Sequence, residues 1–103
     1  MDLGVAGFEW DAGNRGKCQK HGVPISLIER MFRGPLAVFP DPKHSDVEER
    51  LMGIGRSDDG RGVPVVFTLR ERRGERFIRP ISARYMHRRE MDHYETEASK
   101  AGQ

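Results

Sequence analysis

Seven side chains, most of them cationic, are spread along the chain in positions that suit phosphate binding. Arginine can donate two parallel hydrogen bonds to one phosphate, and lysine adds a mobile positive charge. Few bases accompany them, which suits cleavage of RNA by its own 2′-hydroxyl. In that reaction the enzyme orients the phosphate, stabilises its extra negative charge and moves protons. The candidates are Lys20, His21, His44, Arg50, Arg56, Arg79 and Arg84.

Arg79 stands out because it interrupts the apolar face of a predicted strand. Residues 76–84 are expected to be extended and to lead directly into a helix that begins near His87. At the two-residue period of a strand, Arg79 shares a face with Phe77 and Ile81, so it needs an anionic partner. That partner is either a carboxylate of the same chain or a phosphate from outside.

The histidines leave more than one interpretation open. Lys20 and His21 precede Gly22 at the predicted end of a helix, where their charge either caps the helix or binds phosphate and transfers protons. His44 lies in a loop, where a histidine is either simply exposed or functional. The four histidines lack the paired spacing of a zinc site, and nucleotide-binding motifs are absent, so we expect no metal and no other cofactor.

Two aromatic residues are candidates for stacking on RNA bases. Trp10 and Tyr85 are either base-stacking platforms or parts of the core beside a sheet. Arg88 belongs to the arginine-rich start of the last predicted helix, and we group it with them as a candidate RNA contact.

Charge is distributed unevenly along the chain. Residues 41–59 carry three basic and six acidic side chains, whereas residues 70–94 carry eight arginines and four acids. The basic block indicates a polyanion or an acidic protein partner, with a solvated charged surface as an equal alternative.

Length and composition are those of one globular domain. We expect it to span residues 1–103, with flexible ends at 1–7 and 96–103. The single cysteine excludes an internal disulfide and is typical of a reducing cytoplasm. We recognise no signal peptide and no apolar run with a length of about 18 residues, so we expect a cytoplasmic protein that does not contact membranes.

The predicted fold class is α+β, with two N-terminal helices, an antiparallel meander of three to four strands and a C-terminal helix. The first helix follows Asp11 as N-cap and spans about residues 12–21; the second begins with a capping box of Ser26 and Glu29. The strands are expected over 36–39, 48–56, 63–70 and 76–84, and the last helix docks through Met91, Tyr94 and Ala98.

Two local features of the strands lead to sharper expectations. Pro80 removes a backbone donor, so its strand is predicted to be an edge strand or to be bulged. Segment 48–56 has glycines at alternate positions, which indicates a bare face that other side chains approach closely. The segment 63–70 is apolar on both faces and is expected at the centre of the sheet.

An ordered series of short motifs runs from about residue 8 to residue 95. They are Phe8-Glu9-Trp10-Asp11, Lys20-His21-Gly22-Val23, Asp41-Pro42, His44-Ser45, Glu49-Arg50, Ile54-Gly55-Arg56, Ile78-Arg79-Pro80-Ile81-Ser82-Ala83-Arg84 and Arg88–Tyr94. In this order they resemble the BrnT family of toxins from bacterial type II toxin-antitoxin modules.

The resemblance implies a fold similar to RelE-type toxins and a metal-independent ribonuclease activity that blocks translation. It also implies a BrnA-type antitoxin with a ribbon-helix-helix part. The toxin would contact DNA only indirectly, through this antitoxin. By position, Lys20 and His21 match the family's Lys-His-Gly segment and His44 its loop histidine. Arg79 and Arg84 match the arginines of its last strand.

The chain departs from the family pattern at Pro80 and in its glycine-rich first helix. The alternative function is a non-catalytic module that binds a partner or RNA with the same arginine surface.

Overall fold

The computed structural model describes residues 4–41 and 48–101 as three helices and one five-stranded sheet. The elements in chain order are β1 (Gly7–Phe8), α1 (Ala12–Gln19), α2 (Ile25–Arg33), β2 (Ala37–Pro40), β3 (Leu51–Arg56), β4 (Gly62–Arg72), β5 (Glu75–Ala83) and α3 (Arg88–Ala101). This confirms the α+β class and the order of the helices. The sheet has more strands than the three to four predicted.

The strand order is β1-β5-β4-β3-β2, so β4 is central, as its apolar composition predicts. The pairs β2–β3, β3–β4 and β4–β5 are antiparallel and form the expected meander. β1 pairs in parallel with β5, which makes the sheet mixed and corrects the prediction of a purely antiparallel one. A two-residue strand is too short to show any alternation in the sequence, and its partner lies about seventy positions away.

β5 is not an edge strand of the sheet, because it has β1 on one side and β4 on the other. The edge-strand alternative is therefore wrong, and the bulge is confirmed. The register shifts where Val66 pairs with Ser82 and Phe67 pairs with Pro80, leaving Ile81 as the extra residue. The last hydrogen bond from the β1 side is donated by the Glu9 amide to the Ile78 carbonyl, so β1 does not extend to Pro80.

Helices α1 and α2 pack on one face of the sheet and form the core with β4 and β5. The aromatic ring of Phe32 meets that of Phe67 edge to face at a centroid distance of 4.8 Å. Val65, Ile28 and Cys18 are fully buried beside them. The periodicity of α2 predicted this packing, because Leu27, Ile28, Met31 and Phe32 are all buried.

The N-terminus of α2 differs from the prediction. Its N-cap is Pro24, which has no side-chain hydrogen bond, and Ser26 lies within the first turn. The Glu29 carboxylate instead accepts a hydrogen bond of 3.0 Å from the Trp10 indole N–H. The predicted capping box is therefore absent, because the helix begins one residue before Ser26 and Glu29 bonds to Trp10 instead.

Helix α1 begins as predicted at Asp11, whose carboxylate accepts a hydrogen bond from the Asn14 amide. The Asn14 side chain is buried and donates to the carbonyl oxygens of Glu9 and Pro80, at 2.9 and 2.8 Å. It thus ties the start of α1 to β5. Gly22, after the end of α1, has a φ of +85°, the left-handed conformation that its position predicts.

The bare face of β3 is confirmed. A Cβ placed on Gly55 would lie 2.6 Å from the Met31 Cε atom, and one on Gly53 would lie 3.1 Å from the Leu36 side chain. The glycines therefore admit α2 and the chain that follows it onto the sheet.

Candidate functional site

Arg79 is held by two carboxylates of the same chain at the start of α1. Its guanidinium lies 2.8 Å from the Asp11 carboxylate and 3.4 Å from that of Glu9, and 17% of its side chain is exposed. The hydrogen bond from the Asn14 amide, followed by that from Arg79, lowers the pKa of Asp11. Of the two partners that the sequence leaves open for Arg79, the internal carboxylate is present, and the phosphate remains a prediction.

The Arg79 pair belongs to a wider network that the sequence did not predict. The Glu9 carboxylate lies 3.6 Å from the Arg70 guanidinium and 3.1 Å from that of Arg72. Arg70 also donates to Glu48 at 2.8 Å, and this hydrogen bond lowers the pKa of Glu48. Because β1 adjoins β5, Glu9 comes next to arginines that are more than sixty positions away. Arg79 is therefore part of an extensively paired charge cluster.

Arg84 follows the end of β5 and forms a two-point ion pair with Glu90 of α3. Both nitrogen–oxygen distances are 2.8 Å, and 45% of the Arg84 side chain is exposed. Glu90 also accepts a hydrogen bond from the His87 amide, which closes the first turn of α3. The bond to Arg84, with that from His87, lowers the pKa of Glu90 to about 2. The sequence predicted Arg84 as a site residue but not its partner.

The Lys20–His21 loop lies beside the junction of β5 and α3. The Tyr85 hydroxyl is 3.5 Å from the Gly22 carbonyl oxygen, so the loop is adjacent to the residue that follows Arg84. The Arg61 guanidinium lies over the Tyr85 ring at 4.4 Å from its centroid, in a cation–π contact. Lys20, His21 and Arg84 are all exposed. The structure thus brings two segments predicted as site residues together and adds Arg61, which has no distinctive sequence signal.

Arg79 and Arg84 lie at opposite ends of this arrangement. They are five positions apart in nearly extended chain, at most about 16 Å at the rise of a strand. Helix α1 spans the same interval, because Asp11 lies beside Arg79 and Gly22 lies beside Tyr85. The two arginines are therefore positioned for different groups of an extended ligand.

The remaining predicted residues lie in several places. Arg56 is exposed at the end of β3 and bonds to the Glu95 carboxylate and to the Gly60 carbonyl oxygen, both at 3.0 Å. Trp10 packs against the core as well as bonding to Glu29, as its core alternative expects. Arg88 is exposed at the first position of α3, and Arg50 is partly buried just before β3. His44 lies outside the described residues.

Within residues 4–41 and 48–101, no helix is long and apolar enough to cross a membrane.

Comparison with known proteins gives one informative result. No match is found among curated protein sequences. The model of one protein family, described as the ribonuclease toxin BrnT of a type II toxin-antitoxin system, matches residues 10–90. This match covers most of the chain, including α1, α2, all of β5 and the Arg84–Glu90 pair, and so the chain belongs to the BrnT family of ribonuclease toxins.

Proposed function

We propose that this toxin is a metal-independent endoribonuclease whose active centre lies where the Lys20–His21 loop meets the end of β5. The observation that carries the proposal is the contact of 3.5 Å between the Tyr85 hydroxyl and the Gly22 carbonyl oxygen. It places the loop that carries Lys20 and His21 next to Tyr85, the residue that follows the exposed Arg84. Lysine, histidine and arginine are the groups that in-line cleavage of RNA requires when no metal takes part.

In the proposed reaction the 2′-oxygen of the RNA attacks the adjacent phosphorus atom and the bond to the 5′-oxygen breaks. The products are a 2′,3′-cyclic phosphate and a 5′-hydroxyl. Arg84 holds the phosphate and Lys20 offsets its growing negative charge. His21 takes the proton from the 2′-hydroxyl or delivers one to the leaving oxygen, with His44 as the alternative. The Arg61–Tyr85 stack supports a neighbouring base.

The other predicted RNA contacts extend this site along the strand. Arg79 precedes Arg84 by five positions, at most about 16 Å of strand, so it is proposed to contact a different phosphate once its carboxylates release it. Arg56 bonds to Glu95 of α3 and Arg88 is the first residue of that helix; both are proposed to contact the RNA backbone, as is Arg50. Trp10 has its indole N–H bound to Glu29, and only its exposed part is proposed to stack on a base.

The partner and the setting are proposed from the family. A type II toxin acts with a protein antitoxin, and we propose a BrnA-like ribbon-helix-helix protein in the cytoplasm as that partner. Cleavage of RNA by the free toxin would stop translation. We propose that the toxin contacts DNA only through the antitoxin.

A second function is favoured by the ion pairs themselves. Arg79, Arg84 and Arg56 each contact a carboxylate of this chain, which leaves them less available to a phosphate. A non-catalytic module that binds RNA or a protein through the same surface is therefore the alternative.

The two functions differ in their products. Purified toxin without antitoxin is incubated with RNA at low salt in the presence of a chelator. Endoribonuclease activity yields cleaved RNA with cyclic phosphate ends, and Arg84→Ala lowers the rate by about a hundredfold or more, as expected for loss of a donor to the developing charge. The matched control is Arg33→Ala, since Arg33 is exposed at the far end of α2. Binding without cleavage, or cleavage that Arg84→Ala leaves unchanged, would contradict the proposed site.

A further inference from the structure

An apolar groove lies between α3 and the sheet, on the face opposite the core helices. Gly53 and Gly55 turn one face of β3 toward Leu36 and Met31, so the alternate residue Ile54 points to the other face. The groove has a volume of about 760 Å³. Its apolar lining comes from Ala37, Phe39, Ile54, Met86 and Tyr94.

Phe39 makes this groove unusual on the protein surface. It is the one large hydrophobic residue among the described segments that is exposed, at 45%. It lies on β2, which ends the strand order and therefore presents an outer backbone edge that pairs with no other strand of the sheet. A clustered apolar surface next to an open strand edge is typical of a protein interface, because backbone hydrogen bonds and side-chain pockets can act together.

The charges of the groove select the kind of partner. Its lining includes His93 and the carboxylates of Glu97 and Glu90, of which Glu90 is already bound by Arg84, and it includes no lysine or arginine. Such a surface disfavours the phosphates of RNA and favours the cations of a protein segment. A symmetric contact with a second copy is also disfavoured, since it would bring the same acidic rim against itself.

We propose that the groove binds a segment of a partner protein whose apolar side chains are flanked by lysine or arginine. In that complex an apolar side chain covers Phe39 and Tyr94, and a cation lies against the acidic side of α3. The inference rests on the proposed function in one respect, that the partner is the antitoxin. The exposed cations of the Lys20–His21 loop are absent from the groove, and the docking surface meets the proposed active centre at Glu90, the partner of Arg84.

The test uses the full-length toxin and the antitoxin of its own module as the probe. Phe39→Ser and Glu97→Lys are each expected to raise the Kd for the antitoxin at least about thirtyfold, as loss of a central interface anchor does. Cleavage of RNA by the free variants is expected to stay unchanged. Glu75→Lys is the matched control, because Glu75 is exposed on β5, three strands from β2, and should leave the Kd unchanged.

Hydrogen exchange of the wild-type complex provides a second measurement that needs no variant. Binding is expected to protect backbone amides in residues 37–40 and 90–97. An unchanged Kd in both variants, absent protection, or reduced RNA binding instead would each overturn the proposal. Light scattering measures the oligomeric state of the free toxin. If Phe39→Ser turns a dimer into a monomer and leaves the antitoxin Kd unchanged, the groove binds a second copy of the toxin. Antitoxin binding that depends on Phe39 in a toxin without ribonuclease activity would uphold this inference and refute the proposed function.

Discussion

The Arg84 guanidinium has two competing anionic ligands, the Glu90 carboxylate that holds it now and the phosphate that the proposed reaction requires. The carboxylate is bound at two points of 2.8 Å, which is the same forked geometry that a phosphate would occupy. Because almost half of the arginine is exposed, this pair is weaker than its geometry suggests and can open. Glu90 therefore limits the affinity of the site for RNA.

Glu90→Gln is expected to tighten RNA binding. The amide oxygen of glutamine can still accept the hydrogen bond from the His87 amide, so the start of α3 is kept while the charge is removed. We expect the Kd for a short RNA to fall by about threefold to tenfold, the effect of releasing one partly exposed ion pair. Fluorescence anisotropy with a non-cleavable RNA oligonucleotide measures it.

Glu75→Gln is the control for that change, since it removes the same charge from an exposed position of β5. An equal gain in both variants would mean that net charge alone acts, and a loss of affinity in Glu90→Gln would show that Glu90 contacts the RNA favourably.

At the residue scale, prediction succeeded where the chemistry of a side chain requires a particular kind of neighbour. An arginine on an apolar strand face must have an anion beside it, and Arg79 does. The identity of that anion could not be predicted, because Glu9 and Asp11 are separated from Arg79 by about seventy positions and reach it only through the parallel β1–β5 pair. His44 lies outside the described residues, so its role stays a prediction.

At the level of elements, β3 depends on Gly55 to receive α2, whereas Gly16 of α1 has no such role. A Cβ on Gly55 would lie 2.6 Å from Cε and 2.7 Å from Cγ of Met31, whereas one on Gly16 would meet nothing within 4 Å. Gly55→Ala is therefore expected to lower the free energy of unfolding by about 1–3 kcal/mol through overpacking. Gly16→Ala is expected to raise it by about 1 kcal/mol, because alanine has the higher helix propensity.

Urea denaturation followed by circular dichroism measures both changes. The opposite signs make the two variants controls for each other, since each adds the same methyl group. Destabilisation by Gly16→Ala would mean that α1 has a close neighbour at that position. A neutral Gly55→Ala would mean that Met31 can move aside at little cost.

The ends of the elements were harder to predict than the elements themselves. Asp11 caps α1 and Gly22 is left-handed as expected, because capping and left-handed conformations depend on local sequence, but the helix ends at Gln19, before the predicted residue 21. The capping box at Ser26 failed, because Glu29 is bound to Trp10, nineteen positions away. Local rules predict a helix end only when no tertiary contact competes for the same side chain.

For the molecule as a whole, the meander was predictable because hairpins connect its strands. The parallel pairing of β1 with β5 was not, because no hairpin joins these two strands. The turn at Gly74, with a φ of +76°, fixes β4 against β5 by local geometry. By contrast, β1 and β5 lie about seventy positions apart in the chain, and both helices come between them. That contact decides the charge cluster, because it places Glu9 beside Arg70, Arg72 and Arg79.

The overall stability should therefore fall in acid. The pKa values of Asp11, Glu48 and Glu90 are lowered in the folded state, and that of Glu90 falls from 4.5 to about 2. Since the unfolded chain binds these protons first, the stabilisation is complete above about pH 5 and is lost progressively as the pH falls toward 2. The midpoint of thermal unfolding is expected to be constant from pH 7 to 5 and to decrease below that.

Glu48→Gln tests which groups cause the decrease. It removes a carboxylate that binds both Arg70 and Thr68, so the variant should be less stable than the wild type at pH 7. At pH 2 the difference should be smaller, because the stabilisation by a carboxylate whose pKa is lowered on folding decreases as the pH falls. Differential scanning calorimetry at the two pH values measures it. A difference that is the same at both would show that Glu48 acts through packing alone, and the charge cluster would then contribute little to the acid sensitivity of the fold.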